Sequence, residues 1–249
     1  QRVDGVAGCH LDQQETADLD YVKENGKIVV GYTVYEPMNY TDESGEFTGF
    51  DTELAKAVFE QMGLNPEFVE INWDTKELAL ESKEIDCVWN GMTVTPERAE
   101  AMELTKPYLK NSQVLLVKAD MEYTDTSSLI GKVVTAEMGS AGEEAIKADE
   151  NLAQAEFIGK TAQTECLVEV KAGTAAGAVL DKTLAMAMTG EGTNYSDLVI
   201  VQELTPENYA VAFRKGSNIA AEVNKVFDAM LADGSLAALA EKYGLELAE

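Results

Sequence analysis

Short apolar runs alternate with amphipathic stretches along most of this chain, and this alternation limits the folds open to it. The segment "KIVVGYTV" (27–34) is typical of a buried strand. "GFDTELAKAVFEQMG" (49–63) carries an apolar residue every three or four positions, which is typical of a helix packed on a sheet, and Asp51 is expected to cap its start. Strands that alternate with helices predict an α/β fold with mainly parallel sheets.

The alternation continues in a second series, which begins with "SQVLLVKA" (112–119). This series ends with two predicted strands, "LVIVQ" (198–202) and "YAVAFRK" (209–215). The tail, residues 217–245, predicts two helices separated by an Asp-Gly pair. No Gly/Ser-rich linker lies between the two series, so we expect extended crossings to connect them.

We therefore predict two lobes, each a mainly parallel sheet flanked by helices, joined by two hinge crossings. Residues 21–111 and 207–249 are assigned to lobe 1, and residues 112–206 to lobe 2. Residues 1–20 are polar and lack periodicity, which predicts a disordered segment. Parallel sheets bind ligands beyond the carboxyl ends of their strands, so a site is expected at that edge.

The charge of the chain limits its partners. It has 45 acidic and 19 basic residues, which gives a net charge of −26. Nucleic acids and anionic lipid surfaces require a basic face, so we expect neither as a partner. Such a charge also favours a monomer. No apolar run approaches the roughly 18 residues of a membrane span.

The chain has three cysteines and one histidine, too few to favour a metal site or a catalytic nucleophile. Cys87 and Cys166 lie in apolar segments, which favours small core residues over a disulfide. The only histidine is His10, so we expect no metal site, no cofactor and no histidine-activated nucleophile. "VAGC" (6–9) matches the end of a bacterial lipoprotein signal, which makes Cys9 a lipidation candidate; a chance match is the alternative.

An arginine stands in an unfavourable position in "NGMTVTPERAE" (90–100). Thr95 is a helix N-cap and proline follows it, so Arg98 falls in the first turn, where the helix dipole disfavours a cation. Either Glu97 or Glu100 neutralises the guanidinium, or it binds an anion from outside together with free N–H groups of the helix start.

A second helix start of this kind lies in "GSAGEE" (139–144). Ser140 and Glu143 form a capping box, Ala141 begins the helix, and the glycines allow a ligand close to the backbone. The alternative is an ordinary helix start without a ligand.

A carboxylate and two aromatic residues complete the candidate site. Asp181 ends the apolar strand "AGAVLD" (176–181), where it either caps the next helix or faces a crevice. An anion receptor opposite a carboxylate suits a zwitterion such as an α-amino acid. Tyr35 and Trp73 stand at predicted strand ends, where they either cover a ligand side chain or pack in the core.

Several motifs resemble family 3 of the bacterial solute-binding proteins, the extracytoplasmic receptors for polar amino acids in ABC importers. The resemblance covers residues 27–245 and rests on "GFDTELAKA", "NGMTVTPERAE", "EMGSAGEEA" and "AVLD", in this order. It implies the type II periplasmic-binding-protein fold, in which two lobes close on the ligand. It also implies a permease partner and a location in the periplasm or, as a lipoprotein, on the cell surface.

The resemblance implies a role for each motif residue. Arg98 grips the α-carboxylate, helped by Thr93 and the start of the helix at Ser140 and Ala141. Gly91, which follows Asn90, offers its carbonyl to the α-amino group, which Asp181 neutralises. Tyr35 stacks on the ligand and Trp73 forms a side-chain wall.

Two positions depart from relatives of known preference. Tyr32 stands where many binders of cationic amino acids carry an aspartate, and Glu137 stands where glutamine binders carry a lysine. If Glu137 faces the pocket, it favours a ligand side chain with a donor or a positive charge. Because no second basic residue is predicted near the site, we expect a neutral polar or cationic amino acid first, cystine next, and acidic amino acids last.

Two other functions are compatible with the same fold. A dehydratase of the cyclohexadienyl or arogenate type would use Glu137 as a general acid. A ligand-sensing receptor domain would use the same pocket, although "GLELAE" ends the chain without a membrane segment. We expect a binding protein rather than an enzyme.

Overall fold

The structure, a computed structural model, describes residues 17–249. Its helices are α1 (Asp18–Asn25), α2 (Phe50–Gln61), α3 (Lys76–Glu81), α4 (Pro96–Ala101), α5 (Ala141–Ala148), α6 (Gln163–Ala172), α7 (Lys182–Met188), α8 (Ile219–Asp233) and α9 (Ser235–Lys242). Its strands are β1 (Ile28–Tyr32), β2 (Tyr40–Thr41), β3 (Phe47–Thr48), β4 (Pro66–Glu70), β5 (Cys87–Thr93), β6 (Glu103–Leu104), β7 (Leu109–Lys118), β8 (Val133–Glu137), β9 (Glu156–Lys160), β10 (Gly177–Asp181) and β11 (Leu198–Phe213).

Two groups of parallel strands form the ends of one long sheet, in the order β4-β1-β5-β11-β7-β10-β8-β9. The first sheet half is β4, β1 and β5, and the second is β10, β8 and β9. Between them run β7 and β11, antiparallel to each other and to their outer neighbours. The predicted α/β fold class, with mainly parallel strands and flanking helices, is confirmed.

The long strands β7 and β11 are the two crossings between the sheet halves. They pair from Leu198 opposite Lys118 to Tyr209 opposite Leu109. The predicted lobe boundaries, between 111 and 112 and between 206 and 207, both fall within this pairing. The division of the chain into lobes at those residues stays a prediction.

The prediction of two separate strands after residue 198 was wrong, because β11 is continuous. The intervening "ELTPEN" is polar and contains Pro206, which favours a loop on sequence grounds. In the structure this stretch pairs with β7 alone, and β5 joins β11 only from Tyr209 onward. A strand paired on one side tolerates a proline, which lacks a donor.

The first helix corrects the prediction of disorder through residue 20. Helix α1 begins at Asp18, whose carboxylate accepts hydrogen bonds from Arg214 Nη2 at 2.6 Å and from Ser217 Oγ at 2.6 Å. Val22 of α1 is fully buried. These contacts join residues nearly 200 positions apart, which local sequence patterns do not show. The rest of the predicted segment, with the lipidation candidate Cys9, lies outside the described residues.

Helices cover both faces of the sheet. In the first half, Phe59 of α2 and Phe227 of α8 pack edge-on against Trp89 of β5, with their ring centroids 5.4 and 5.9 Å from that of Trp89.

Cys87 and Cys166 are buried free thiols, so the prediction of core cysteines is confirmed. Among residues 17–249, no helix is long and apolar enough to cross a membrane.

We expect Arg214→Ala to lower the free energy of unfolding by about 3 kcal/mol, because it leaves two carboxylates without their partner in a largely buried site. The guanidinium lies 2.6 Å from Asp18 and 2.8 Å from Asp86. Urea denaturation measures the effect. Lys215→Ala is the matched control, since Lys215 is exposed and lies 3.8 Å from Glu103. Equal stability of the two variants would contradict the anchoring role of Arg214.

Candidate functional site

A small polar cavity lies between the sheet halves, at the carboxyl ends of β5, β8 and β10. Its volume is about 10 Å³, which is room for roughly one water molecule. The lining residues are Trp73, Asn90, Gly91, Thr93, Arg98, Gln113, Glu137, Ser140, Ala141, Gln163, Val179 and Asp181. Nine of these were predicted as site residues, so the structure brings most of the predicted set together.

Arg98 is the buried cation of the cavity. Thr95 caps α4, and its Oγ1 accepts a hydrogen bond from the Arg98 N–H at 3.1 Å. The Arg98 side chain is held by two backbone carbonyls, with Nη1 2.8 Å from Thr93 O and Nη2 3.2 Å from Gly139 O. Arg98 takes part in none of the ion pairs within residues 17–249, so neither Glu97 nor Glu100 neutralises it.

A second basic residue lies beside Arg98, contrary to the expectation from sequence. Lys76 is 2% exposed, its Nζ lies 4.8 Å from the Trp73 ring centroid, and it contacts the Gly139 carbonyl at 3.5 Å. Burial, with the neighbouring Arg98 charge, lowers the pKa of Lys76 to about 8. Glu77 is its ion-pair partner at 3.4 Å. The sequence carries no local signal that this lysine is buried.

The helix start at α5 meets the first sheet half closely. Ser140 is the N-cap, and its Oγ accepts from the Glu143 N–H at 3.2 Å. The other half of the predicted capping box is not formed, because the Ser140 N–H donates to the Glu137 carbonyl and the Glu143 carboxylate pairs with Lys147. Gly139 adopts φ +73°, and a Cβ there would lie 2.8 Å from Asp74 Cα, a backbone atom of the other half. Glycine at 139 therefore allows the halves to approach each other.

Asp181 faces the cavity and does not cap α7, so the cap alternative was wrong. Its carboxylate makes no hydrogen bond to the helix start. It accepts instead from Gln163 Nε2 at 2.6 Å, from Gln113 Nε2 at 2.6 Å and from Asn111 Nδ2 at 2.8 Å. Burial raises its pKa, and no basic residue within 17–249 forms an ion pair with it.

Glu137 lines the cavity at the end of β8 and is 3% exposed. Its Oε2 lies 3.3 Å from Thr33 Oγ1, a contact between the two sheet halves. Burial raises the pKa of Glu137 to about 8, and the nearby Asp181 carboxylate adds to the shift. The carboxyl therefore binds a proton readily at neutral pH.

The bend at Gly91 depends on a buried acid. Gly91 adopts φ +55°, and a Cβ there would lie 2.6 Å from the Tyr35 ring. Its N–H donates to Asp51 Oδ2 at 2.6 Å, and Asp51 also accepts from Tyr108 Oη at 2.7 Å. Asp51 was predicted to cap α2, which was wrong, because α2 is preceded by Gly49 and this carboxylate points to β5 instead.

Asn90 holds β5 beside β1. Its amide nitrogen donates to the Thr33 carbonyl and to Asn39 Oδ1, both at 2.8 Å, and its Oδ1 accepts from the Thr33 N–H at 3.1 Å. Thr93 donates its hydroxyl to Glu207 Oε1 at 2.7 Å. Both side chains are therefore used to shape the cavity wall.

Tyr35 and Tyr32 do not line the cavity, which corrects two predicted positions. Tyr35 lies behind Gly91, 1% exposed, and its hydroxyl is hydrogen-bonded to that of Tyr209. The Tyr32 ring packs on Phe47, with centroids 4.8 Å apart. Thr33, the next residue, donates its hydroxyl to Asn90 and Glu137 of the cavity lining, whereas the Tyr32 ring lies against β3. Trp73 does line the cavity, in a short 3₁₀ helix, Trp73–Thr75.

Sequence reasoning missed Gln113, Gln163, Lys76 and Glu207. Gln163 follows the carboxyl end of β9, so the rule used for the other strands applied to it as well. Gln113 is a polar residue at the start of the apolar run of β7, which is a weak signal. Glu207 lies in the stretch that sequence reading took for a loop.

An α/β fold with a polar cavity at its strand ends is typical of proteins that bind small molecules. The chain matches the family model of the bacterial extracellular solute-binding proteins, family 3, over residues 28–246, and it belongs to this family. The family resemblance seen in the sequence motifs is thus confirmed.

Individual relatives in this family have named ligands. The arginine-binding extracellular protein ArtP of Bacillus subtilis is 29% identical over 87% of this chain and 86% of its own. The L-cystine-binding protein TcyJ of Escherichia coli K12 is 28% identical over 90% of this chain and 85% of its own. The crystal structure of the ancestral amino acid-binding protein AncCDT-1, a precursor of cyclohexadienyl dehydratase, is similar with a TM-score of 0.80, at 32% identity over 90% of this chain and 98% of that one.

We expect the ligand-free protein to lose stability as the pH rises from about 4.5 to 8, partly through Glu137. Its pKa is higher in the folded state than the usual 4.5, so the fold favours the protonated carboxyl. That contribution is complete below about pH 4.5 and disappears as the pH rises through about 8. Glu137→Gln should reduce the loss by a few kcal/mol, since one pKa unit corresponds to about 1.4 kcal/mol.

Chemical denaturation of both proteins at several pH values measures this difference. Glu84→Gln is the control, because Glu84 is exposed and should leave the pH dependence unchanged. The same pH dependence in wild type and Glu137→Gln would show that folding does not raise the pKa of this carboxyl.

Proposed function

We propose that this protein binds a free polar amino acid outside the cytoplasm and delivers it to the permease of an ABC importer. One observation carries the proposal. Arg98 and Asp181 line the same cavity, both are buried, and neither has a partner of opposite charge within the described residues. Buried charges require partners, and an α-amino acid supplies both at the spacing of one molecule.

The backbone around each charge suits the corresponding end of an amino acid. Arg98 presents a planar fork for the carboxylate, and the start of α5 at Ala141 adds an N–H donor. Asp181 accepts from the ammonium, and the positive φ of Gly91 gives its carbonyl a direction that other residues rarely adopt. Trp73 forms the adjacent wall.

Entry of an amino acid requires the two sheet halves to separate, because the cavity holds only about one water molecule. The crossings β7 and β11 are the connections about which such a movement takes place. We assign lobe 1 to residues 21–111 and 207–249 and lobe 2 to residues 112–206. Arg98 then closes against the Gly139 carbonyl of the other lobe.

The charges around the cavity favour a cationic or neutral polar ligand. Arg98 and Lys76 provide two positive charges, and the carboxyl groups of Glu137, Asp181 and Glu207 provide up to three negative ones. A net positive ligand favours ionisation of all three carboxyl groups and then balances the set, whereas an acidic ligand adds to the excess of ionised carboxylates. Lys76 removes one argument against acidic ligands, but the excess of carboxyl groups remains.

The ligands for which two relatives are named agree with the preference for a cationic or neutral polar amino acid over an acidic one. ArtP is named for arginine and TcyJ for cystine. Glu137, at the side of the cavity next to Thr33, is the group we assign to a cationic or donor side chain. Tyr35, one layer behind Gly91, supports the wall from behind.

A dehydratase of the cyclohexadienyl type is the second candidate function. Glu137 is a buried carboxyl with a pKa of about 8, which is the property of a general acid, and AncCDT-1 is named as a precursor of such an enzyme. Asp181 argues against it, since that carboxylate suits an amino group. Turnover of prephenate or arogenate by purified protein would establish the enzyme.

The remaining assignments rest on family membership. The family is described as extracellular, so we place the protein in the periplasm or at the cell surface, with lipidation of Cys9 as the proposed anchor. The net charge of −26 favours a monomer. The functional partner is the permease.

We expect at least one compound to raise the melting temperature in a screen of the twenty common amino acids, cystine and ornithine. Binding to the folded state alone stabilises it by about 2.7 kcal/mol at a hundredfold excess over Kd. Arg98→Ala should weaken binding of that compound by about 2–5 kcal/mol, measured by calorimetry, because it removes one partner of a buried charged contact. Arg98→Lys keeps the positive charge but loses the planar fork, so its affinity for the compound should lie between those of wild type and Arg98→Ala. Unchanged affinity in Arg98→Ala would refute the carboxylate role.

We expect the same compound to shrink the protein in small-angle X-ray scattering, because closure of the lobes about β7 and β11 makes the particle more compact. The control is Asp181→Asn, which should keep the fold but give no shrinkage at the same concentration. A wild-type profile that does not change at saturating ligand would contradict closure.

A further inference from the structure

Glu207 lies in the crossing between the sheet halves, next to the candidate site but outside its lining. It is on β11, opposite Asn111 of β7. One oxygen, Oε1, accepts three hydrogen bonds, each 2.7 Å long, from Thr93 Oγ1, Asn111 Nδ2 and Gln113 Nε2. No ion pair within residues 17–249 includes it.

The same two amides hold Asp181. Asn111 Nδ2 lies 2.8 Å and Gln113 Nε2 2.6 Å from Asp181 Oδ1. Each NH₂ group has two hydrogens, so each amide gives one to Asp181 and one to Glu207. The two amides thus hold the two carboxyl groups side by side. We call Asp181 and Glu207 the carboxyl pair.

The surroundings of the carboxyl pair contain no cation that neutralises it. The neighbouring titratable or charged groups are Glu137 of β8, Tyr209 of β11, Tyr35, Asp51, Lys182 with its partner Glu203, and Arg98 across the cavity. Lys182 is exposed and already lies 3.5 Å from Glu203. The nearest charged groups therefore add negative charge or are used elsewhere.

Asp181 is buried and Glu207 half-buried, and two adjacent carboxylates in such a setting repel each other, so ionising both is costly. Burial, followed by the Asp181 charge, raises the pKa of Glu207 to about 7, and burial raises that of Asp181 as well. Such a pair loses its two protons in separate steps, and the second step belongs to both groups together. One proton is thereby retained near neutral pH.

We propose that Glu207 is a positioning residue that makes amino-acid capture release a proton: the carboxyl pair shares one proton before binding, and the α-ammonium group of the amino acid displaces it. The proton passes from a carboxyl oxygen to solvent, and no covalent bond to carbon changes. Asp181 then carries a full charge against the ammonium. The proposal rests on the proposed role of Asp181 as the partner of the α-ammonium group. It adds that this contact is strong because Asp181 becomes fully ionised when the amino acid binds.

The first consequence is a pH-dependent affinity. When binding displaces one proton, Kd rises up to tenfold for each unit by which the pH falls below the pKa of the pair. The probes are L-arginine, L-glutamine and L-cystine, none of which changes charge between about pH 5 and 7. The second consequence is a binding heat that depends on the ionisation enthalpy of the buffer.

The test is titration calorimetry of wild type and Glu207→Gln with each probe that binds, at about pH 6 in two buffers of different ionisation enthalpy. The glutamine variant keeps an oxygen that accepts the same three hydrogen bonds but holds no titrating proton. It should release about one proton fewer than wild type and show a flatter dependence of Kd on pH. Glu84→Gln, an exposed change between α3 and β5, should behave as wild type. Glu207→Asp, which restores a carboxyl, should recover part of the release.

The outcomes distinguish failure of the proton-release proposal from failure of the proposed amino-acid binding. Equal proton release in wild type and Glu207→Gln overturns the proposal and leaves amino-acid binding intact. If the variant does not fold, wild type alone decides: no proton release and no change of Kd between about pH 5 and 7 overturns it. If none of the screened amino acids binds wild type, or if Asp181→Asn binds as tightly, the proposed function fails instead.

Discussion

Two buried charges of opposite sign, held apart by the protein, govern the design of this molecule. The guanidinium of Arg98 is held by backbone carbonyls, and the carboxylate of Asp181 by side-chain amides. Neutral groups fix the direction of each charge without cancelling it, so both retain attraction for an external partner. A direct Arg98–Asp181 ion pair would remove that attraction.

The elements that connect the sheet halves also control the charge of the site. Asn111 and Gln113 are on β7, and Glu207 is on β11, so the hinge strands hold Asp181 directly. On the other side, the Gly139 carbonyl of the second half accepts from Arg98 of the first. The proposed closure of the halves would therefore change the surroundings of both charges together.

The structure adds one acidic and one basic residue, Glu207 and Lys76, to the charges that the sequence motifs indicate around the cavity. Glu137 and Glu207 both have raised pKa values because burial disfavours their charged forms. Lys76, whose pKa burial lowers to about 8, offsets part of that charge. These three residues belong to separate elements, β8, β11 and α3, and meet only in the folded protein. An ionised Glu137 suits the cationic ligand proposed above, whereas a protonated Glu137 suits the general acid of the second candidate function.

Local patterns in the sequence determined the alternation of strands and helices, the caps at Thr95 and Ser140, and the strand end at Asp181. These features depend on neighbours within a few residues, and the carboxyl ends of parallel strands meet by a general rule. Only the tertiary structure decided that Tyr32 faces away, that Lys76 is buried and that Glu207 adjoins Asp181. Such outcomes depend on strand register and on pairing between distant segments, where a shift of one residue reverses the direction of every side chain.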